Sequence, residues 1–255
     1  MAPFLPATPA APASRREAFA ALKAAMQGGR SAPRVHTEPL VATGVQALDE
    51  LLGGGFPRGI LAVLEGDLGR RSIAARLLAQ ATCRGMAAVL DDGELYPPGL
   101  VQAGVRLDRL LIVPAATPLS GARAVDLLLR SRVCGTLVMP ALALRAPVWA
   151  RLAGLAHRSG TLVAVVAGGA ATAELTFAAT VRLRCTLERL LLCGSRGPWC
   201  NFAGYDVRVE LCKHKYLVPG TRASVRALEI AGEVTLRERA VERRGLAPAM
   251  ERAVV

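Results

Sequence analysis

The residues with the clearest chemical potential lie between Leu64 and Ile73, in the turn Gly66-Asp67-Leu68-Gly69-Arg70-Arg71-Ser72. An apolar run, Leu61–Leu64, leads into this turn and a helical stretch, Ile73–Thr82, leads out of it. A glycine-containing turn between a strand and a helix is the setting of a phosphate cradle of the form G-x-x-x-x-G-K-[ST]. In that motif backbone N–H groups wrap the phosphates, the lysine neutralises them and the hydroxyl holds Mg²⁺. The turn here is shorter by one or two residues, depending on alignment, and contains no lysine. Arg70 or Arg71 brings positive charge, but as a planar fork where a point charge is expected. Asp67 adds negative charge where phosphate would sit. Gly66, Gly69, Arg70, Arg71 and Ser72 therefore read as a degenerate nucleotide loop. No catalytic residue and no cofactor is expected, with weak nucleotide binding without hydrolysis left open.

Other chemistry-bearing residues are scattered. Asp91, Asp92 and Glu94 follow the apolar run Ala87–Leu90. They read either as a residual metal site or as carboxylates that close the next turn. His36, His157 and His214 have no cysteine or carboxylate at a ligand spacing. The six cysteines form no C-x-x-C pair, and several sit in apolar runs as small hydrophobes, so no metal site is expected. No Ser-His-Asp or Cys-His set has supporting context.

The elements that position these residues alternate. Strand candidates are Leu61–Leu64, Ala87–Leu90, Leu110–Val113, Thr136–Met139 and Thr161–Ala167. Helix candidates are Ile73–Thr82, Pro98–Ala103, Ala122–Ser131 and Val148–His157. This order predicts an α/β fold with a mostly parallel sheet flanked by helices. From Val181 the texture changes. Val181–Leu192, Asp206–His214 and Ala223–Ile230 read as strands without intervening helices, which predicts antiparallel strands at the C-terminal edge. Residues 1–34 read as a flexible segment carrying a short amphipathic helix. Ser14 and Glu17 cap it, and Phe19, Leu22 and Met26 share one face that needs a docking surface, either on this chain or on a partner. Residues 35–230 form the expected core. Residues 231–255 read as a charged tail in which Thr235 and Glu238 could open a helix.

Composition bounds the class. Apolar residues make up 52% of the 255 and charged residues 20%, which supports a sizeable core and argues against global disorder. The net charge of +12 is carried mainly by arginine, since lysine occurs only at 23, 213 and 215. That charge attracts polyanions, or it reflects an arginine-rich composition without such a partner. No secretory leader and no apolar run long enough for a bilayer is evident, so a cytoplasmic protein with reduced thiols is expected.

Three segments carry a resemblance. T-G-V-x-x-L-D-x-L-L-G-G-G-F-P-R-G, residues 43–59, resembles the start of the RecA-superfamily core. LDDGELYPPGLVQAGVRLDRLLIV, residues 90–113, is similar to the second strand and the following helix–strand unit of the ImuA family of bacterial mutagenesis cassettes. VRVELCKHKYLVPGT, residues 207–221, is similar to a RecA-family strand whose K-x-K pair, here Lys213 and Lys215, reaches across a subunit interface towards ATP. The resemblance places the metal-supporting acid at the end of Thr136–Met139, where Met139 and Pro140 stand. It places a polar γ-phosphate sensor where Ala167-Gly168-Gly169 stands.

The resemblance implies a non-catalytic accessory factor of SOS damage tolerance. Its partners would be ImuB, RecA and a DnaE-type polymerase, and its location would be the nucleoid after DNA damage. DNA is a further expected partner. The loop Ala167–Thr180 carries no basic residue, so phosphate contact would fall to Arg182, Arg184, Arg189, Arg196, Arg208, Lys213 and Lys215, with Trp199, Phe202 or Tyr205 as stacking faces. The other reading of these residues is a solvated basic face. Two rival functions stand beside the first: an ATP-dependent recombinase or remodeller with an atypical phosphate loop, and a SulA-like cell-division inhibitor.

Overall fold

The computed structural model describes residues 40–193, 201–215, 217, 219–230 and 233–242. The Phe19/Leu22/Met26 face, Arg196, Trp199 and the residues after 242 lie outside the described residues.

The strand β3 (Leu61–Gly66) shows why the sheet is buried on both sides. Its residues point alternately to opposite faces. Leu61 and Val63 enter one apolar cluster, with Val125, Leu137, Trp149 and Leu152. Ala62 and Leu64 enter the other, with Phe56, Ile73, Leu77 and Leu183. Central strands such as Ala87–Asp91 (β4), Thr136–Pro140 (β6) and Leu162–Val166 (β7) are therefore continuous apolar runs rather than alternating ones.

Before β3, a short hairpin pairs β1 (Leu40–Val41) with β2 (Phe56–Pro57) around the helix α1 (Gln46–Leu51). The T-G-V-x-x-L-D motif is what ties this unit together. Asp49 Oδ1 accepts from the backbone N–H of Thr43 at 2.7 Å and from its hydroxyl at 2.9 Å. Leu48 and Leu51 then seal the apolar side.

After β3 come α2 (Arg70–Arg84), β4, α3 (Pro97–Gln102), β5 (Leu110–Pro114), α4 (Pro118–Ser131), β6, α5 (Ala146–Ser159), β7, α6 (Ala173–Ala178) and β8 (Val181–Cys193). The chain finishes with β9 (Asn201–His214), β10 (Arg222–Ile230) and β11 (Glu233–Glu242). One sheet runs in the order β11-β10-β9-β8-β3-β7-β6-β4-β5. The strands from β3 to β8 pair in parallel, while β9, β10 and β11 pair antiparallel. The fold is the α/β arrangement expected, with its antiparallel strands at one edge.

Two expectations are corrected. The segment after 230 is not only a charged tail. Glu233–Glu242 pairs with β10 from Arg222↔Glu242 to Ile230↔Glu233, so Thr235 and Glu238 lie in a strand and do not open a helix. The unpaired edge of β10 supplies the backbone partners that the local sequence does not reveal. Within Ala167–Thr180, read as a loop, Ala173–Ala178 is helical, because the Thr172 hydroxyl caps the N–H of Leu175 and Leu175 is buried.

Candidate functional site: a closed turn beside an open cleft

The turn between β3 and α2 is only three residues long, Asp67 to Gly69. The N–H groups that lead into it bond within the chain. Gly66 N–H donates to the Gly169 carbonyl at 2.9 Å, and Asp67 N–H donates to the Cys185 carbonyl at 3.0 Å. The turn therefore lies flat against β8 and the end of β7. Gly66 has a φ of +107°, and a Cβ there would overlap the Cys185 carbonyl oxygen. Gly69, at φ +93°, sits under Val207, whose Cγ2 would be 2.7 Å from an added Cβ. Only glycine tolerates this conformation and this approach.

The three polar side chains that open α2 face different ways. Arg70 folds back, and its Nη1 donates to the Gly66 carbonyl at 2.8 Å. Arg71 reaches across to Glu94 in the loop after β4, in an exposed ion pair. The Ser72 hydroxyl lies 2.7 Å from the Tyr205 hydroxyl on β9. Gly66, Gly69, Arg70, Arg71 and Ser72 are thus contiguous, and the donors of Gly66, Asp67 and Arg70 bond to carbonyls of this chain.

Glu65, the last side chain before the turn, is 1% exposed. It accepts from Arg184 Nε at 3.1 Å and from Ala171 N–H at 3.0 Å, with Arg182 Nε at 3.7 Å. A buried carboxylate requires this kind of compensation. Glu65 was not singled out in the sequence, although an acid ending an apolar strand run is a readable signal for a buried ion pair. Tyr205, one of the candidate stacking faces, meets Ser72 through its hydroxyl.

The basic strand residues are also partnered. Lys213 Nζ donates to the carbonyls of Thr176 at 2.8 Å and Phe177 at 3.2 Å, closing the end of α6 in its own chain. Burial, followed by repulsion from Arg182, lowers the Lys213 pKa below the ordinary lysine value. Arg208 Nε donates to Glu188 at 2.9 Å. Arg182, Arg184 and Lys213 come together around β8 and α6, Arg208 stands apart from them, and Lys215 is exposed. Burial pushes the Cys185 thiol up to about 12, and Cys134 and Cys212 are also raised by burial, so these residues behave as small hydrophobes.

On the other side of α2 lies a cleft of about 520 Å³ at the carboxyl ends of β4, β6 and β7. Its back is apolar, with Val138, Met139 and Pro140 of β6 where the resemblance would place a metal-supporting acid. Asp91 also lines it, but its Oδ1 accepts from the N–H groups of Gly93 at 2.8 Å and Leu95 at 3.1 Å. The turn-closing alternative for Asp91 is the one observed. Among the described residues no group of three His, Cys, Asp or Glu could hold a metal ion, and no helix is long and apolar enough to cross a membrane.

The chain is similar in sequence to protein RecA from Desulforapulum autotrophicum, with 31% identity over 121 residues, covering 46% of this chain and 35% of that relative. Protein RecA from Nostoc punctiforme is 32% identical over 124 residues, covering 47% of this chain and 34% of the relative. The chain therefore spans about a third of the length of these curated relatives. Among solved structures, the crystal structure of the RadB recombinase matches with a TM-score of 0.61 at 18% identity, covering 79% of this chain and 100% of that one. No family model matches the chain. The homology is RecA-like, and so is the fold.

Proposed function

We propose that this RecA-like chain is a non-catalytic accessory factor in DNA-damage tolerance, with ImuB, RecA and a DnaE-type polymerase as its partners. The observation that carries this reading is the turn at Gly66–Ser72. Its leading N–H groups bond to Gly169 and Cys185, and Arg70 caps the Gly66 carbonyl. A phosphate cradle needs such N–H groups aimed at the ligand. The apolar end of β6 at Met139 supports the same reading, because hydrolysis draws on a carboxylate near Mg²⁺.

The narrower, ImuA-like reading is supported by residues 90–113 and 207–221. DNA is a further proposed partner, although Arg184, Arg208 and Lys213 already bond within the chain. Co-purification of ImuB or RecA with the tagged chain from DNA-damaged cells tests this part. Recovery of neither would remove it.

A second reading, an ATP-dependent recombinase or remodeller, is favoured by the names of the relatives, RecA and RadB recombinase, and by the cleft that remains beside α2. ATP turnover separates the two. The purified chain, with and without single-stranded DNA, should hydrolyse ATP no faster than its Arg71→Ala variant. DNA-stimulated turnover that Arg71→Ala abolishes establishes the second reading instead.

A further inference from the structure

We infer that the outer face of α4, with the adjoining face of α5, is a docking surface for an acidic amphipathic helix of a partner protein. The inference rests on the accessory-factor reading and gives one of its protein partners a surface and a chemistry. Its basis is an uneven placement of acids. Residues 40–115 hold seven arginines and eight aspartates or glutamates, whereas residues 116–173 hold six arginines and one acid, Asp126. An arginine-rich composition by itself would leave the two segments alike. The positive excess of the second comes from its missing acids.

The fold collects this charge on one side of the sheet. α4 and α5 turn Val125, Leu129, Trp149 and Leu152 inwards, to the cluster that contains Leu61 and Val63. Arg123, Arg130, Arg151 and Arg158 stand exposed on these helices. Asp126 joins the two helices, accepting from Arg130 Nε at 2.7 Å and from Arg151 Nε at 2.9 Å. It holds two guanidiniums at the seam and cancels the charge of only one. Arg123 and Arg158 have no carboxylate partner among the described residues.

The same face carries apolar side chains that the core does not use. Leu119, Arg123, Leu127 and Arg130 follow at intervals of four, four and three, which is one stripe of a helix. Leu119 is 61% exposed and Leu127 69%. The inward positions of α4, Ala122, Val125 and Leu129, are already buried, so these leucines are not a margin of the core. They lie two turns apart, about 12 Å, with Arg123 between them. An acidic helix laid along α4 buries both leucines under its apolar positions and sets carboxylates against Arg123, Arg130 and Arg151. A nucleic acid fits less well, because its phosphates leave the leucines in water and meet Asp126 at the centre. A bilayer asks for a broader apolar face than two leucines.

The test is fluorescence anisotropy of the full chain with a labelled peptide of about 20 residues, leucine at every third or fourth position and glutamate at most others. Saturable binding that weakens with added salt is expected. Arg123→Glu should weaken it about fivefold or more, and Leu127→Gln about tenfold. Both positions are exposed, so the fold is retained. Arg84→Glu makes the same change of net charge at an exposed position on α2, across the sheet, and should leave affinity within about twofold. A peptide of the same composition with its leucines spread round the helix should bind about tenfold more weakly. Absence of saturable binding, equal effects of Arg84→Glu and Arg123→Glu, an unchanged affinity in Leu127→Gln, or equal binding of the two peptides each overturns the inference. Tighter binding of single-stranded oligothymidylate than of the peptide, lost in Arg123→Glu, overturns it in favour of a phosphate-binding face. If the peptide results come out as expected while the chain turns over ATP, the docking surface stands and the non-catalytic reading fails.

Discussion

The start of α2 faces two environments that differ in how their polar groups are satisfied. On the β8 side the turn Gly66–Gly69 is packed against Cys185, Gly169 and Val207, and its leading N–H groups have backbone partners. On the α3 side the same helix lines a cavity with an apolar back. A few residues separate a packed turn from an open cavity. The packing of the turn and the presence of a pocket are thus separate properties, set by turn length on one side and by the residues of β6 and α3 on the other.

The largest effect expected on the closed side is that of Gly66→Ala. Its Cβ would collide with the Cys185 backbone at a positive φ, so neither side-chain rotation nor a small shift relieves it. Destabilisation of about 3 kcal/mol or more is expected in denaturant unfolding. A change below about 1 kcal/mol would mean that the turn is not pressed against β8.

Next is Glu65→Ala. It leaves Arg184 and the Ala171 N–H without their acceptor, and should cost about 2 kcal/mol, discounted because Arg184 is 46% exposed. A neutral outcome would show that Glu65 does not anchor the segment after β7. Ser72→Ala removes the contact with Tyr205 and should cost about 1 kcal/mol. A selective loss of Mg²⁺-dependent nucleotide binding, with stability unchanged, would instead assign Ser72 to a working phosphate site.

The smallest effect lies far from both regions. Hydrogen bonding from Arg151, reinforced by Arg130, holds the Asp126 carboxyl below its ordinary value of 3.8. A depressed carboxylate adds stability above its unfolded pKa, and that stability is lost as pH falls through the folded value. Asp126→Asn should therefore flatten the fall in stability below about pH 4, by less than about 1 kcal/mol because both arginines are exposed. An unchanged acid limb would remove Asp126 as a contributor.

The sequence made the parallel half of the fold readable because β3, β4, β6 and β7 are buried on both faces and stand out as apolar runs between helices. The shortness of the turn, its missing lysine and the apolar end at Met139 were equally visible. The partners were not. Glu65 meets Arg184 from 119 positions away, and Ser72 meets Tyr205 from 133 positions away, distances over which local pattern carries no information. The strand Glu233–Glu242 was missed because its charged residues give no apolar alternation strong enough to signal a strand, and its stability comes from the waiting edge of β10. The cleft was hidden for the same reason, since α2, α3 and the ends of three strands must be assembled before it exists.

The most direct test is structure determination of the chain at saturating ATP–Mg²⁺. The expected result is an unchanged turn, with the Gly66 N–H still on Gly169, the Asp67 N–H still on Cys185 and no triphosphate seated between them. A triphosphate held by the N–H groups of Gly66–Ser72, with Mg²⁺ on the Ser72 hydroxyl, would contradict the account and make this chain a nucleotide-dependent RecA-like protein.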